Sequence, residues 1–227
     1  MLWETTIRNG PSRHGPSAAR NCHGLFLAYT VDALILINTK GVSGTGKSTL
    51  GAAIAKNLSM PFIDGDGLHP KANIDKMASG QPLTDKDREP WLEIIRTKAE
   101  HILIEQRVDP SSTTRAGVVV ACSALKKSYR NILRGHITAL NMPEQLQPPD
   151  TLPTYFVFIK GERDVLMDRM LKRQGHFMKA NMLESQLQTL ESPEGEDGVV
   201  VVPMEEHLEE QVKLAREGLS KLVDGML

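Results

Sequence analysis

The chain has 227 residues, 40% of them hydrophobic and 24% charged, which supplies a full core and excludes a wholly disordered protein. Acids and bases nearly cancel at a formal net charge of -1, and no polybasic block occurs. The footprint of a nucleic-acid binder is therefore missing, and the expected substrate is a small molecule.

Residues 1–30 read as a disordered N-terminal tail. Arg8, Arg13, His14 and Arg20 stand there against the single acid Glu4, with Gly and Pro between them and no periodic apolar face. An organellar leader would need an amphipathic pattern that this segment lacks. The most apolar stretch, Gly24 to Ile37, is broken by Thr30 and Asp32 and is too short to cross a bilayer as a helix. No membrane partner is expected, and the two cysteines, Cys22 and Cys122, lie in unrelated contexts that suit a reducing, cytoplasmic setting without a disulfide framework or zinc site. Cys122 reads as a buried strand residue.

Residues 31–227 read as one domain. Short β-branched runs alternate in it with helix-length segments: Leu34 to Ile37, Pro61 to Asp64, Val118 to Cys122, Tyr155 to Ile159 and Val199 to Val202. Runs that are apolar throughout suit strands covered on both faces, so the fold class is α/β, a five-stranded parallel sheet flanked by helices. Asp109 to Ala116 and Asn141 to Pro153 read as surface insertions, and the acidic stretch Glu191 to Gly198 as a solvated loop. In the last helix Leu208, Val212, Ala215, Leu219 and Leu222 recur at helical spacing and read as core.

Just after the first run, Gly41-Val42-Ser43-Gly44-Thr45-Gly46-Lys47-Ser48 fits the phosphate-binding pattern G-x-x-x-x-G-K-[ST], and Thr49 continues it. Glycines let backbone N–H groups close on the phosphates, Lys47 reaches the β/γ oxygens, and Ser48 offers a hydroxyl to Mg²⁺. Leu50, Ile54 and Leu58, four residues apart, place an amphipathic helix behind the loop. The second strand then delivers Asp64-Gly65-Asp66-Gly67 at its C-terminal end, where open α/β sheets gather their ligands. One carboxylate there serves the metal's water shell while the other faces the acceptor. The tetrapeptide also fits a GTPase D-x-x-G, but no guanine-reading N-K-x-D or T-K-x-D accompanies it.

Three further blocks carry a family resemblance. They are Leu68-His69-Pro70 through Asn73, Lys76-Met77, Gly80 to Leu83, Asp85 and Asp87 to Leu92; Val120 to Arg130; and Gly175-His176-Phe177, followed by Gln186 and Thr189-Leu190. In content and order, from about Gly41 onward, they resemble the gluconate kinase family. The resemblance implies a three-layer, nucleoside-monophosphate-kinase-like fold with a mobile lid at about 173–182. It also implies ATP and Mg²⁺, transfer of the γ-phosphoryl group to the terminal hydroxyl of D-gluconate, and a possible homodimer.

On that resemblance Lys47, Asp66 and Arg173 are the expected catalytic residues, with Arg169 added to the ATP site and Ser48 and Asp64 beside the metal. The expected acceptor site is Asp66, His69, Arg88, Lys126, Arg130 and His176. A sugar acid needs fixed cations together with hydroxyl acceptors, and Lys126 and Arg130, one turn apart, would share a helix face. The rival readings are a shikimate-like or nucleotide kinase, and a P-loop protein without turnover. One junction departs from the family's apolar first strand: Asn38, Thr39 and Lys40 precede Gly41. Burying Lys40 is costly unless its amine escapes to solvent, so the expectation there is a shifted register or an amino-terminal segment other than the native one.

Overall fold

All five β-branched runs pair as parallel strands: β1 Ile35–Lys40, β2 Phe62–Asp64, β3 Gly117–Ala121, β4 Thr154–Lys160 and β5 Val199–Pro203, in the order β2-β3-β1-β4-β5. The computed structural model describes residues 35–108, 116–135, 152–172 and 177–223, with backbone alone at 107–108 and 177–181. The proposed tail, most of both insertions, and the first part of the lid lie outside them. The described residues belong to one compact unit, Asp32–Leu227.

Seven helices complete the described chain: α1 Lys47–Leu58, α2 Lys71–Ala78, α3 Asp85–Val108, α4 Lys127–Arg134, α5 Arg163–Lys172, α6 Phe177–Thr189 and α7 Leu208–Leu222. Gly51 of α1 sits so close to the sheet that an added Cβ would stand 2.7 Å from the Thr39 hydroxyl, and Gly218 of α7 rests equally closely on Val200. Side chains alternate across a strand, so Asn38 and Lys40 point to the opposite face. Arg134 of α4 covers that face, its guanidinium 4.8 Å from the ring centre of Phe156, the register partner of Asn38. Helices thus cover both faces, giving three layers.

β1 is buried along its whole length, and its register against β3 and β4 is unbroken through Asn38, Thr39 and Lys40. The register shift expected at that junction is absent. Nor does the Lys40 amine escape: the residue is fully buried, and its Nζ has no hydrogen-bond partner among the described residues. It lies 4.4 Å from the ring centre of Phe158, and burial, helped by nearby Arg130, pulls its pKa down to about 7. Both side-chain polar atoms of Asn38 are likewise buried without partners among the described residues.

Two readings gain detail from the fold. Glu191 to Gly198 is an exposed loop for most of its length, as expected, and it also clamps α4. Glu196 pairs with Arg130 and Arg134, and Glu191 accepts the Lys127 N–H at 2.6 Å, because the buried guanidinium of Arg130 needs a carboxylate beside it. In α7 the core stripe is shorter than expected. Leu208 and Leu222 at its ends are 40% and 38% exposed, while Gln211 is buried and donates to Pro203 O at 2.9 Å.

Candidate active site

The phosphate loop continues directly from the buried β1. Gly46 caps α1 in a left-handed conformation, φ 89°, and no side chain caps the helix. The first N–H to find a helical acceptor is that of Leu50, bonded to Gly46 O at 2.9 Å, so the N–H groups of Lys47, Ser48 and Thr49 are left for an anion, where the helix dipole favours one. An added Cβ at Gly46 meets nothing within 4 Å, so the space above the loop is open to phosphates. The Thr39 hydroxyl lies 2.9 Å from Lys47 O and 3.3 Å from Val120 O, fixing the start of α1 to the centre of the sheet.

The facing wall grows out of β2. Asp64 caps the 3₁₀ turn Gly65–Leu68, accepting the Asp66 N–H at 3.1 Å. Gly65 is pressed against β3, where a Cβ would stand 2.6 Å from Ala121 O. From α3, Trp91 Nε1 donates to Gly65 O at 2.8 Å, and the same indole stacks on His69 with ring centres 4.0 Å apart. Burial, then the positive charge of Arg88, hold the His69 imidazole below its ordinary pKa against the opposing pull of Asp66. The neutral ring accepts at Nδ1 from Asn73 Nδ2, 3.4 Å away, which leaves Nε2–H as a donor.

Arg88 is 8% exposed, and its Nη1 reaches only Tyr129 Oη, at 3.5 Å. Neither Asp85 nor Glu89 forms an ion pair with it. Asp85 instead takes Lys126 Nζ at 2.7 Å and the Tyr129 hydroxyl at 2.5 Å, which together hold its carboxyl below the ordinary range. A buried guanidinium without an acid among the described residues is the most unusual charge in the site.

Between these walls lies a cavity of about 250 Å³. Ser43 and Lys47 line it from the phosphate loop, and Asp66, His69, Arg88 and Trp91 from the facing wall. Met77, Pro82, Leu83, Ser123 and Leu125 supply part of the remaining surface, and Met182, Ser185 and Gln186 of α6 supply the rest. Cys122, just past β3, is buried, and burial pushes its thiol up to about 12, so it is no nucleophile.

The structure thus brings Lys47, Asp66, His69 and Arg88 together. It does not bring Arg130 to the cavity. That residue is fully buried, its Nε and Nη2 paired with Glu196 and its Nη1 near Ala124 O, Leu125 O and Glu191 O, so each of its nitrogens already has a protein partner. Lys126 precedes α4 in extended conformation, so the shared helix face expected with Arg130 does not exist, and its amine is engaged by Asp85. Asp64 stands beside the cavity as a cap and does not line it. Arg169 is exposed on α5, its Nη2 3.4 Å from Met204 O. Arg173 and His176 lie outside the described residues. Trp91, Ser185 and Gln186 were not expected among the lining residues; Trp91 and Gln186 stood in the family blocks, but neither carries a charge or nucleophile to single it out.

A parallel sheet in this order, with its phosphate loop after β1 and an acceptor-sized cavity alongside, defines the P-loop kinases of small molecules. A family model described as shikimate kinase matches residues 43–194. The chain is 44% identical to a gluconokinase of Gluconobacter oxydans over 74% of its own length and 81% of that protein. It is 39% identical to the thermoresistant gluconokinase of Escherichia coli over 80% of its length and 91% of that protein. The crystal structure of a gluconokinase from Sinorhizobium meliloti matches at 43% identity with a TM-score of 0.65, covering 84% of this chain and 94% of that one. The chain belongs to the shikimate-kinase type of P-loop kinase and, within it, to the gluconokinase family.

Proposed function

We propose that the protein transfers the γ-phosphoryl group of ATP to the terminal hydroxyl of D-gluconate, giving 6-phosphogluconate. The observation that carries this reading is Arg88: a buried guanidinium on the cavity wall, without an acidic partner among the described residues, facing the same space as Lys47 and Asp66. An anionic acceptor completes it, because a desolvated cation needs a carboxylate and arginine offers one a two-pronged match. Neutral His69 and Asp66 then meet hydroxyls as donor and acceptor.

The loop N–H groups and Lys47 hold the triphosphate, while Asp66 orients or deprotonates the attacking hydroxyl. Mg²⁺ fits the residues present: Ser48 and Asp64 would hold it together with phosphate oxygens. Among the described residues no group of three or more His, Cys, Asp or Glu side chains forms a metal cage, as suits an ion that binds through substrate phosphates and water. When bound, it supplies charge neutralisation at the transferring group. Arg169 and Arg173 are assigned to nucleotide and transition-state charge, and His176 to the acceptor. No described helix is long and apolar enough to cross a membrane, and with a buried free thiol this supports a cytoplasmic enzyme.

A coupled assay offering gluconate, shikimate and AMP in turn, each with ATP, tests the reading. Turnover with gluconate alone is the expected result. Preference for shikimate or AMP overturns the choice of acceptor, and nucleotide binding with no acceptor phosphorylated makes the chain a non-catalytic P-loop protein. Lys47→Ala is expected to lower kcat by about 10³-fold while the folded midpoint stays, since phosphate charge loses its fixed counter-charge.

A further inference from the structure

The N–H of Ser43, third residue of the phosphate loop, donates to Gln186 Oε1 at 2.7 Å across 143 residues of sequence. Gln186 stands on α6 and borders the cavity. The bond fixes the orientation of its carboxamide. A backbone N–H only donates, so the amide turns its oxygen to the loop, and Nε2 keeps two donors on the other side. Those donors have no protein partner among the described residues, and the side chain is only half-buried on the cavity wall.

We propose that Gln186 is a catalytic residue that donates from Nε2 to a hydroxyl of the acceptor while its Oε1 holds the phosphate loop. The inference rests on the reading of the acceptor as a sugar acid and assigns a second anchor to it. Arg88 takes the carboxylate at one wall, and Gln186 takes a hydroxyl at the wall nearest the phosphates. A single amide then ties the position of the acceptor to the loop that holds the donor, and in-line transfer requires that alignment above all else. The spacing is unforgiving: asparagine in its place, one methylene shorter, cannot reach both sides.

Two variants and a substrate series test the assignment. Gln186→Met keeps the length and loses both polar atoms. Gln186→Glu keeps an oxygen for the Ser43 N–H but replaces the Nε2 donors with an acceptor. Both are expected to raise the KM for gluconate about tenfold or more, the worth of one hydrogen bond to a substrate, with the KM for ATP within about threefold. The decisive readout uses monodeoxy gluconates that keep the reacting hydroxyl. For the analogue lacking the contacted oxygen, wild type and Gln186→Met converge; for the others the gap persists. A gap equal for every analogue, or a raised KM for ATP with an unchanged KM for gluconate, reduces Gln186 to a brace of the loop and overturns the proposal, as does a lowered Tm with both KM values unchanged. If the wild type ignores gluconate, the acceptor reading fails by itself. The same variants and the same analogue test are then applied to the acceptor it does phosphorylate.

Discussion

Two buried arginines, one on α3 and one on α4, came out of the sequence with the same role and have opposite surroundings in the fold. Arg130 is fully buried with every nitrogen engaged, Nε and Nη2 by Glu196 and Nη1 by three carbonyls. Arg88 is nearly as buried and, among the described residues, has one long hydrogen bond, to a tyrosine hydroxyl. What separates a cation of the fold from a cation of the site is the number of its donors left unanswered, since a charge is kept out of water only where something repays its desolvation. Arg130 is repaid by the protein. On the proposed reading, Arg88 is repaid by the acceptor's carboxylate.

Removing each side chain gives the sharpest test of that contrast. Arg130→Ala leaves Glu196 only the longer pair with Arg134, at 3.6 Å, and is expected to cost about 3 kcal/mol of stability in denaturant melts; a wild-type midpoint in that variant would erase the distinction. Lys40 is a further buried cation close to Arg130, with Arg130, Glu196 and Cys122 as its charged or titratable neighbours. Its folded pKa of about 7 lies below the ordinary 10.5, so between those values the unfolded chain binds more protons and wild-type stability rises with pH. Lys40→Met should therefore stabilise by about 3 kcal/mol at pH 6, under the ~5 kcal/mol ceiling the shift sets, and the gain should fade between pH 7 and 10.5. A gain that is flat with pH would mean that the amine is not neutralised inside the fold.

Arg88→Ala is expected to do the reverse of Arg130→Ala. It should leave the melting midpoint nearly unmoved and raise the KM for gluconate about 100-fold, with Arg88→Lys recovering only part, because a lysine cannot make the two-pronged pair. The smallest effect belongs to Lys126→Ala. Its ion pair with the half-exposed Asp85 is worth less than about 1 kcal/mol, and the KM for gluconate should stay within about threefold. A large rise in that KM would return Lys126 to the acceptor site.

The sheet was legible because each strand is a short, continuous apolar run, and burial on both faces leaves no other explanation for such runs. The gathering of the phosphate loop, Asp66, His69 and Arg88 around one cavity was legible because local patterns carry them. Arg130 was misread for want of Glu196, which lies 66 residues away and looked like part of a solvated loop. Lys126 was misread by one turn of backbone: helical spacing was assumed where the residue is extended. Trp91 and Gln186 carry no charge or nucleophile, and their place in the cavity wall comes from tertiary proximity alone, to Gly65 O and to Ser43 N respectively. The buried amine of Lys40 ran against expectation because strand pairing on both edges held the register despite the polar side chains.

The strand that leads into the phosphate loop is hydrogen-bonded on both edges and has no exposed residue, so the donor half of the crevice is mounted like an anvil. The acceptor half is built differently, from a 3₁₀ turn beyond an edge strand and from helices at the rim. Whatever travel brings the two reactants into line must come from that outer half, with the triphosphate as the stationary reference.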